Sequence, residues 1–90
     1  MKDRKYMLLG ICSINLYLPG SRSLKDKRNV IKSIKLRIRN KFNVSVSEIN
    51  NYGLWKKTNL GIAGTGNENK YLNNVINEII KFIKTIINYS

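Results

Sequence analysis

Lys25, Arg28, Lys32, Lys35 and Arg39 recur at alternating three- and four-residue spacing inside LPGSRSLKDKRNVIKSIKLRIRNK, the segment from Leu18 to Lys41. At about 100° per residue on a helical wheel they fall on one contiguous arc. Such a row of ammonium and guanidinium groups can track a phosphate backbone, each neutralised phosphate releasing counterions. Solvated helices normally mix both signs, because opposite charges at i,i+4 attract and like charges repel. Here Asp26 is the only acid in the segment, so a polyanion outside the helix is expected to supply the counter-charge.

Other chemistry has little to work with. The chain has no His, one Cys and five acidic residues, which gives no basis for a metal site or a cofactor. Cys12 has no imidazole to activate it and reads as a small core residue on a strand. Glu48 has no second carboxylate in its pattern and is expected to form a salt bridge or cap with a Lys or Arg. The turn Pro19-Gly20-Ser21-Arg22-Ser23 opens onto a helix N-terminus, where backbone N–H groups favour an anion. Arg22 beside it is a candidate phosphate contact. Trp55 and Tyr52 are candidates to stack on unpaired bases, although Trp55 could equally seal one end of the sheet. Lys56 and Lys57 adjoin Trp55, and with Lys41 could extend the basic surface. Gly64-Thr65-Gly66 reads as a tight strand-to-helix turn.

These residues need a scaffold. Ninety residues suit a single domain spanning residues 1–90. An apolar content of 42% with 24% charged residues is that of a globular chain, and no apolar run approaches bilayer length. A signal peptide is not expected, so the address is read as cytoplasmic. Seventeen Lys and Arg against five Asp and Glu give a net charge of +12, which favours nucleic acid as partner. Because the chain is also rich in Asn and Ile, the arrangement of the cations carries more weight than their number.

Alternation from Leu8 to Leu18 predicts a strand whose even positions, Leu8, Gly10, Cys12, Ile14 and Leu16, face the core. Pro19 and Gly20 end it, and Ser23 caps a helix running to about Asn40, with Leu24, Ile31, Ile34, Ile38 and Phe42 on its buried sector. Val44 and Val46 begin a second strand that stops near Asn50. A hairpin returns as a strand over Trp55 to Thr65, with Leu60 and Ile62 inward. Asn67 can cap a second helix in which Leu72, Val75, Ile76, Ile79, Ile80, Ile83, Ile86 and Ile87 repeat at helical spacing. The order β-α-β-β-α is that of an α+β ferredoxin-like plait, the split βαβ arrangement, with its usual fourth strand missing.

Three motifs lie in order on this frame: Ser23-Leu24-Lys25-x-Lys27-Arg28, then Phe42-Asn43-Val44-Ser45-Val46 with Glu48, then Leu54-Trp55 through Leu60-Gly61-Ile62. Together they resemble the YlxP-like family of small bacterial proteins of unknown function, over nearly the whole chain up to Ala63. The resemblance implies a ferredoxin-like plait. It also implies a role near RNA or the ribosome, because the family's genes tend to lie among those for translation initiation factor 2 and ribosome-binding factor A. No enzymatic activity comes with it.

The expectation is therefore a non-enzymatic RNA-binding or ribosome-associated protein that works through its basic first helix, without metal, cofactor or membrane. The competing class is a homodimeric protein-interaction module whose basicity is incidental. Its basis is a first strand left unpaired by the missing fourth, and outer sheet positions Leu9, Ile11, Ser13, Gly61 and Ala63, which suit protein packing better than base stacking. A phosphate-ester or acyl-phosphate hydrolase would require an essential Arg22, but the glycine-bearing loop and partner Asn of acylphosphatases are not recognisable.

Overall fold

The computed structural model describes residues 7–50 and 54–88. Its elements are β1 (Leu8–Tyr17), α1 (Leu24–Lys41), β2 (Ser45–Asn50), β3 (Lys57–Gly66) and α2 (Asn69–Asn88). The sheet is three-stranded and antiparallel with order β1-β3-β2. Among the described residues this is the ferredoxin-like split βαβ arrangement lacking one strand. The expected hairpin turn and Tyr52 lie outside the described residues.

Period-two alternation sets which face each strand residue takes. Cys12, Ile62 and Val46 share one row across the sheet, and Ile14, Leu60 and Glu48 the next. Leu16, Val46, Leu60 and Ile62 are buried with Ile31, Ile34 and Ile38 of α1 and Ile79 and Ile83 of α2. Both helices therefore cover the same sheet face. α1 packs beside β2, while α2 packs against β1 and β3. Cys12 is only partly buried, packed against this core.

Each boundary has a local cause. Ser23 is the α1 N-cap, its Oγ accepting from Asp26 N at 3.1 Å, while the Asp26 carboxylate accepts from Arg22 N at 3.1 Å. At the other end Phe42 N bonds the Ile38 carbonyl, and the Phe42 ring meets Phe82 edge-on with centroids 6.0 Å apart. β3 starts two residues later than its apolar pattern suggests, at Lys57. The Lys56 carbonyl is taken by Leu18 N at 2.7 Å, beyond the end of β1. α2 starts at Asn69 rather than directly after Asn67, the first turn closing through Leu72 N to the Glu68 carbonyl.

Candidate nucleic-acid interface

The basic arc of α1 forms as its spacing predicts. Lys25, Arg28, Lys32 and Arg39 are exposed and Lys35 is half-buried. Arg28, Lys32, Lys35 and Arg39, with Ile31 and Leu36, line a groove of about 330 Å3 whose remaining wall is Glu48 of β2. The groove thus runs between a cationic helix face and the edge strand of the sheet. The groove arises because α1 lies along β2 rather than across the sheet centre.

Arg39 has a second task. Its Nη2 donates to the Val46 carbonyl at 2.9 Å; Leu18 N donating to the Lys56 carbonyl puts the hydrogen-bonded β1–β3 pairs on the row that includes Cys12 and Ile62, so Val46, opposite Ile62, turns its carbonyl away from β3. The guanidinium occupies an edge position that would otherwise be open to another strand. Arg39 is exposed, but it is not simply a solvent-facing cation.

Lys27 is the residue whose role sequence reasoning missed. It is 2% exposed, and its Nζ lies 2.9 Å from Oε2 of Glu48, which is 20% exposed. Thr58 Oγ1, buried on β3, donates to the same oxygen at 2.6 Å. The signal was present: on the wheel that defines the apolar sector, Lys27 falls between Ile34 and Ile38, at a core position of the Leu24, Ile31, Ile34, Ile38 series. A charge there demands a buried counter-charge. Glu48 supplies it, in keeping with the ion pair its sequence context predicts.

A second recess of about 600 Å3 adjoins the start of α1, lined by Leu24, Leu54, Trp55, Lys56 and Lys57. Trp55 is 51% exposed, so about half of its surface faces solvent and the rest is covered. Leu24 precedes Arg28 by one helical turn, which sets the two recesses next to each other along α1. Arg22 is exposed on the turn leading into the helix. Lys41 is drawn to the other end, its Nζ 4.6 Å from the Phe82 ring centroid.

The remaining surface is different in kind. On the open sheet face Asn59 Nδ2 donates to Asn15 Oδ1 at 2.6 Å and Ser13 Oγ at 2.9 Å, tying β1 to β3. Leu9 and Ile11 on the same face of β1 are 62% and 73% exposed. Among the described residues no cluster of His, Cys, Asp and Glu could hold a metal ion, and no helix is long and apolar enough to cross a membrane.

A family described as "Protein of unknown function (DUF503)" matches residues 9–89. The chain belongs to this family. It is also similar to "Uncharacterized protein YlxP" of Bacillus subtilis (strain 168), with 34% identity over 76 residues, covering 84% of this chain and 83% of that relative. The family match runs beyond the sequence resemblance, which ends at Ala63, and takes in α2. It therefore includes every residue of the groove and of the Trp55 recess.

Proposed function

We propose that this protein binds RNA, as a non-enzymatic cytoplasmic factor acting on or near the ribosome, and that the α1 groove is the contact surface. The observation that carries the reading is the row Lys25, Arg28, Lys32, Lys35 and Arg39 along one face of α1, with no acid on the helix side of the groove. A net charge of +12 adds a long-range attraction for any polyanion. Phosphates lie along the α1 cations, and Trp55 offers a stacking surface one turn away, with Arg22, Lys56 and Lys57 near that end. The genomic association of the YlxP-like family with translation genes favours RNA among polyanions.

The test is binding of a short single-stranded RNA over a range of salt concentrations. The unmodified chain should bind with a steep salt slope. Reversing Lys25, Arg28 and Lys32 to Glu should flatten that slope by about two units, from about 0.7 per lost single-strand phosphate contact. Unchanged affinity and slope in a variant with native circular dichroism would refute the reading. Arg39 is left out of this set because its reversal would also expose the Val46 carbonyl.

A homodimer is the second reading, and it has its own observation. Of the two sheet edges, β2 is guarded by Arg39 and by a register shift between Glu48 and Asn50. β1 pairs with β3 in unbroken register from Leu8 to Tyr17, carries no charged residue, and has no strand on its other side among the described residues. Such an edge recruits strands. Pairing β1 with β1 of a second copy keeps both basic arcs, which lie beside β2, away from the interface.

A further inference from the structure

The hydrogen-bond pattern of β1 fixes what its free edge presents. Leu18 N donates to the Lys56 carbonyl, and opposed residues in an antiparallel pair alternate between exchanging hydrogen bonds and exchanging none. The even residues from Leu8 to Leu16 therefore direct their N–H and C=O groups at β3. Leu9, Ile11, Ser13, Asn15 and Tyr17 turn theirs outward, where no strand lies among the described residues. The same five residues put their side chains on the open sheet face, and all five are exposed, Ile11 at 73% and Tyr17 at 58%. No proline, bulge or charge, the devices that blunt natural edges, interrupts the run. Among the described elements β1 alone carries no charged residue. Two copies that each carry +12 can meet there without apposing their cations.

We infer that two copies pair β1 with β1 antiparallel, in the register that puts Ser13 on the two-fold axis, opposite its own counterpart. This rests on the homodimer reading above and gives it a geometry. In such a pair an outward-turned residue must face an outward-turned residue. Centring on Ser13 sets Leu9 against Tyr17 and Ile11 against Asn15, so all five find partners within β1. Centring on Cys12 would set Tyr17 against Met7, before the strand, and centring on Ile14 would set Leu9 against Pro19, which has no N–H. The Ser13 register forms about ten backbone hydrogen bonds, two for each exchanged pair, and covers the exposed Leu9 with the ring of Tyr17, an aliphatic–aromatic cross-strand pair. The joined sheet runs β2-β3-β1-β1-β3-β2. Its β2 edges are five strand spacings, about 24 Å, apart. α1 lies beside β2 in each copy, so the two basic faces are separated by well over the roughly 8 Å at which physiological salt screens charge.

The unmodified protein is measured first. Light scattering at high concentration should give twice the chain mass. Residue-resolved hydrogen exchange should show the amides of Leu9, Ile11, Ser13, Asn15 and Tyr17 slowing by about tenfold or more between dilute and concentrated samples, while those of Cys12 and Ile14 stay equally slow. The register is read from Leu9→Cys and Tyr17→Cys, each combined with Cys12→Ala, because Cα atoms of an exchanged pair lie about 5.5 Å apart, within disulfide reach. Mixed and oxidised, the two proteins should give a linked species of twice the chain mass. Neither alone should, since its two thiols would lie eight residues, about 27 Å, apart along the strands. Ile11→Cys with Asn15→Cys is the second pair of the same register and serves where a first variant does not fold. Linking of Leu9→Cys with Asn15→Cys or with itself, or a dimer in which neither expected pair links, overturns the register and leaves the homodimer standing. A dimer whose outward-turned β1 amides exchange as fast as in dilute solution overturns the edge pairing itself. A single-chain mass at high concentration removes the homodimer reading and this inference together.

Discussion

Replacing Lys27 with Met keeps the length and most of the volume of the side chain and removes only its charge. Lys27 is 2% exposed and sits among Ile31, Ile34 and Ile38 on the buried face of α1, with Glu48 Oε2 2.9 Å away. Breaking a fully buried pair from one side typically costs about 3–5 kcal/mol, because the surviving ion is stranded. Glu48 is 20% exposed and keeps the 2.6 Å hydrogen bond from Thr58, so water and the hydroxyl relieve part of that cost. The expected loss is about 2–4 kcal/mol, a large share of the stability of a small domain, or a drop in Tm of roughly 10–25 °C at the sensitivity usual for this size. Urea unfolding followed by circular dichroism measures it, and a double-mutant cycle with Glu48→Gln separates the pair from its parts. The double variant should be more stable than Lys27→Met alone, with a coupling of at least about 1 kcal/mol. A Lys27→Met protein within about 0.5 kcal/mol of the original, or a coupling near zero, would mean that the pair is not a structural unit.

Arg39→Met should lower stability by about 1–2 kcal/mol through the lost bond to the Val46 carbonyl, and hydrogen exchange should rise in β2 more than in β1. Gly10→Ala should be neutral or stabilising by up to about 0.5 kcal/mol, since a methyl group there meets Leu72 at an ordinary 3.5 Å. Gly64→Ala should instead cost about 1 kcal/mol, because the added carbon lies 3.1 Å from half-buried Val44; paired thermal melts compare the two directly. For the β1 homodimer, light scattering in moderate salt should give twice the chain mass, and Ile11→Lys should give a monomer. A monomeric unmodified chain at high concentration would remove that reading.

The frame was legible because its signals are local. Alternation through Leu8–Tyr17 and Lys57–Gly66, the Ser23 cap and the Ile79 and Ile83 stripe each depend on neighbours a few residues away. The cationic arc was legible for the same reason, since one helix positions all five of its residues. What could not be read was anything requiring two elements to be placed together. Arg39 reaches Val46 only because α1 lies along the β2 edge, and Trp55 joins Leu24 only through the way β3 is entered. Lys27 is the intermediate case. Its position on the wheel marked it as buried, but its residue type suggested a surface, and only Glu48 at the matching row of β2 resolves that conflict.

The charges of α1 are put to different uses that a net charge cannot distinguish. Asp26 is turned back onto the entering chain, accepting from Arg22 N, so the one acid of the helix is spent on its own N-terminus. Lys27 is turned inward and offset by Glu48. Lys25, Arg28 and Lys32 remain exposed, with Lys35 half-buried and Arg39 bound to the edge strand. Exposed lysines and arginines in a row repel one another at i,i+4 spacing by a few tenths of a kcal/mol per pair, and Asp26, the one acid of α1, is not placed among them to offset it. Exposed Arg37 and Lys41 lie on the other flank of the helix, Lys41 over the Phe82 ring, so the distinctive feature of α1 is the contiguous row from Lys25 to Arg39 rather than a lack of cations elsewhere, and that row is what the charge-reversal and salt-slope measurement probes.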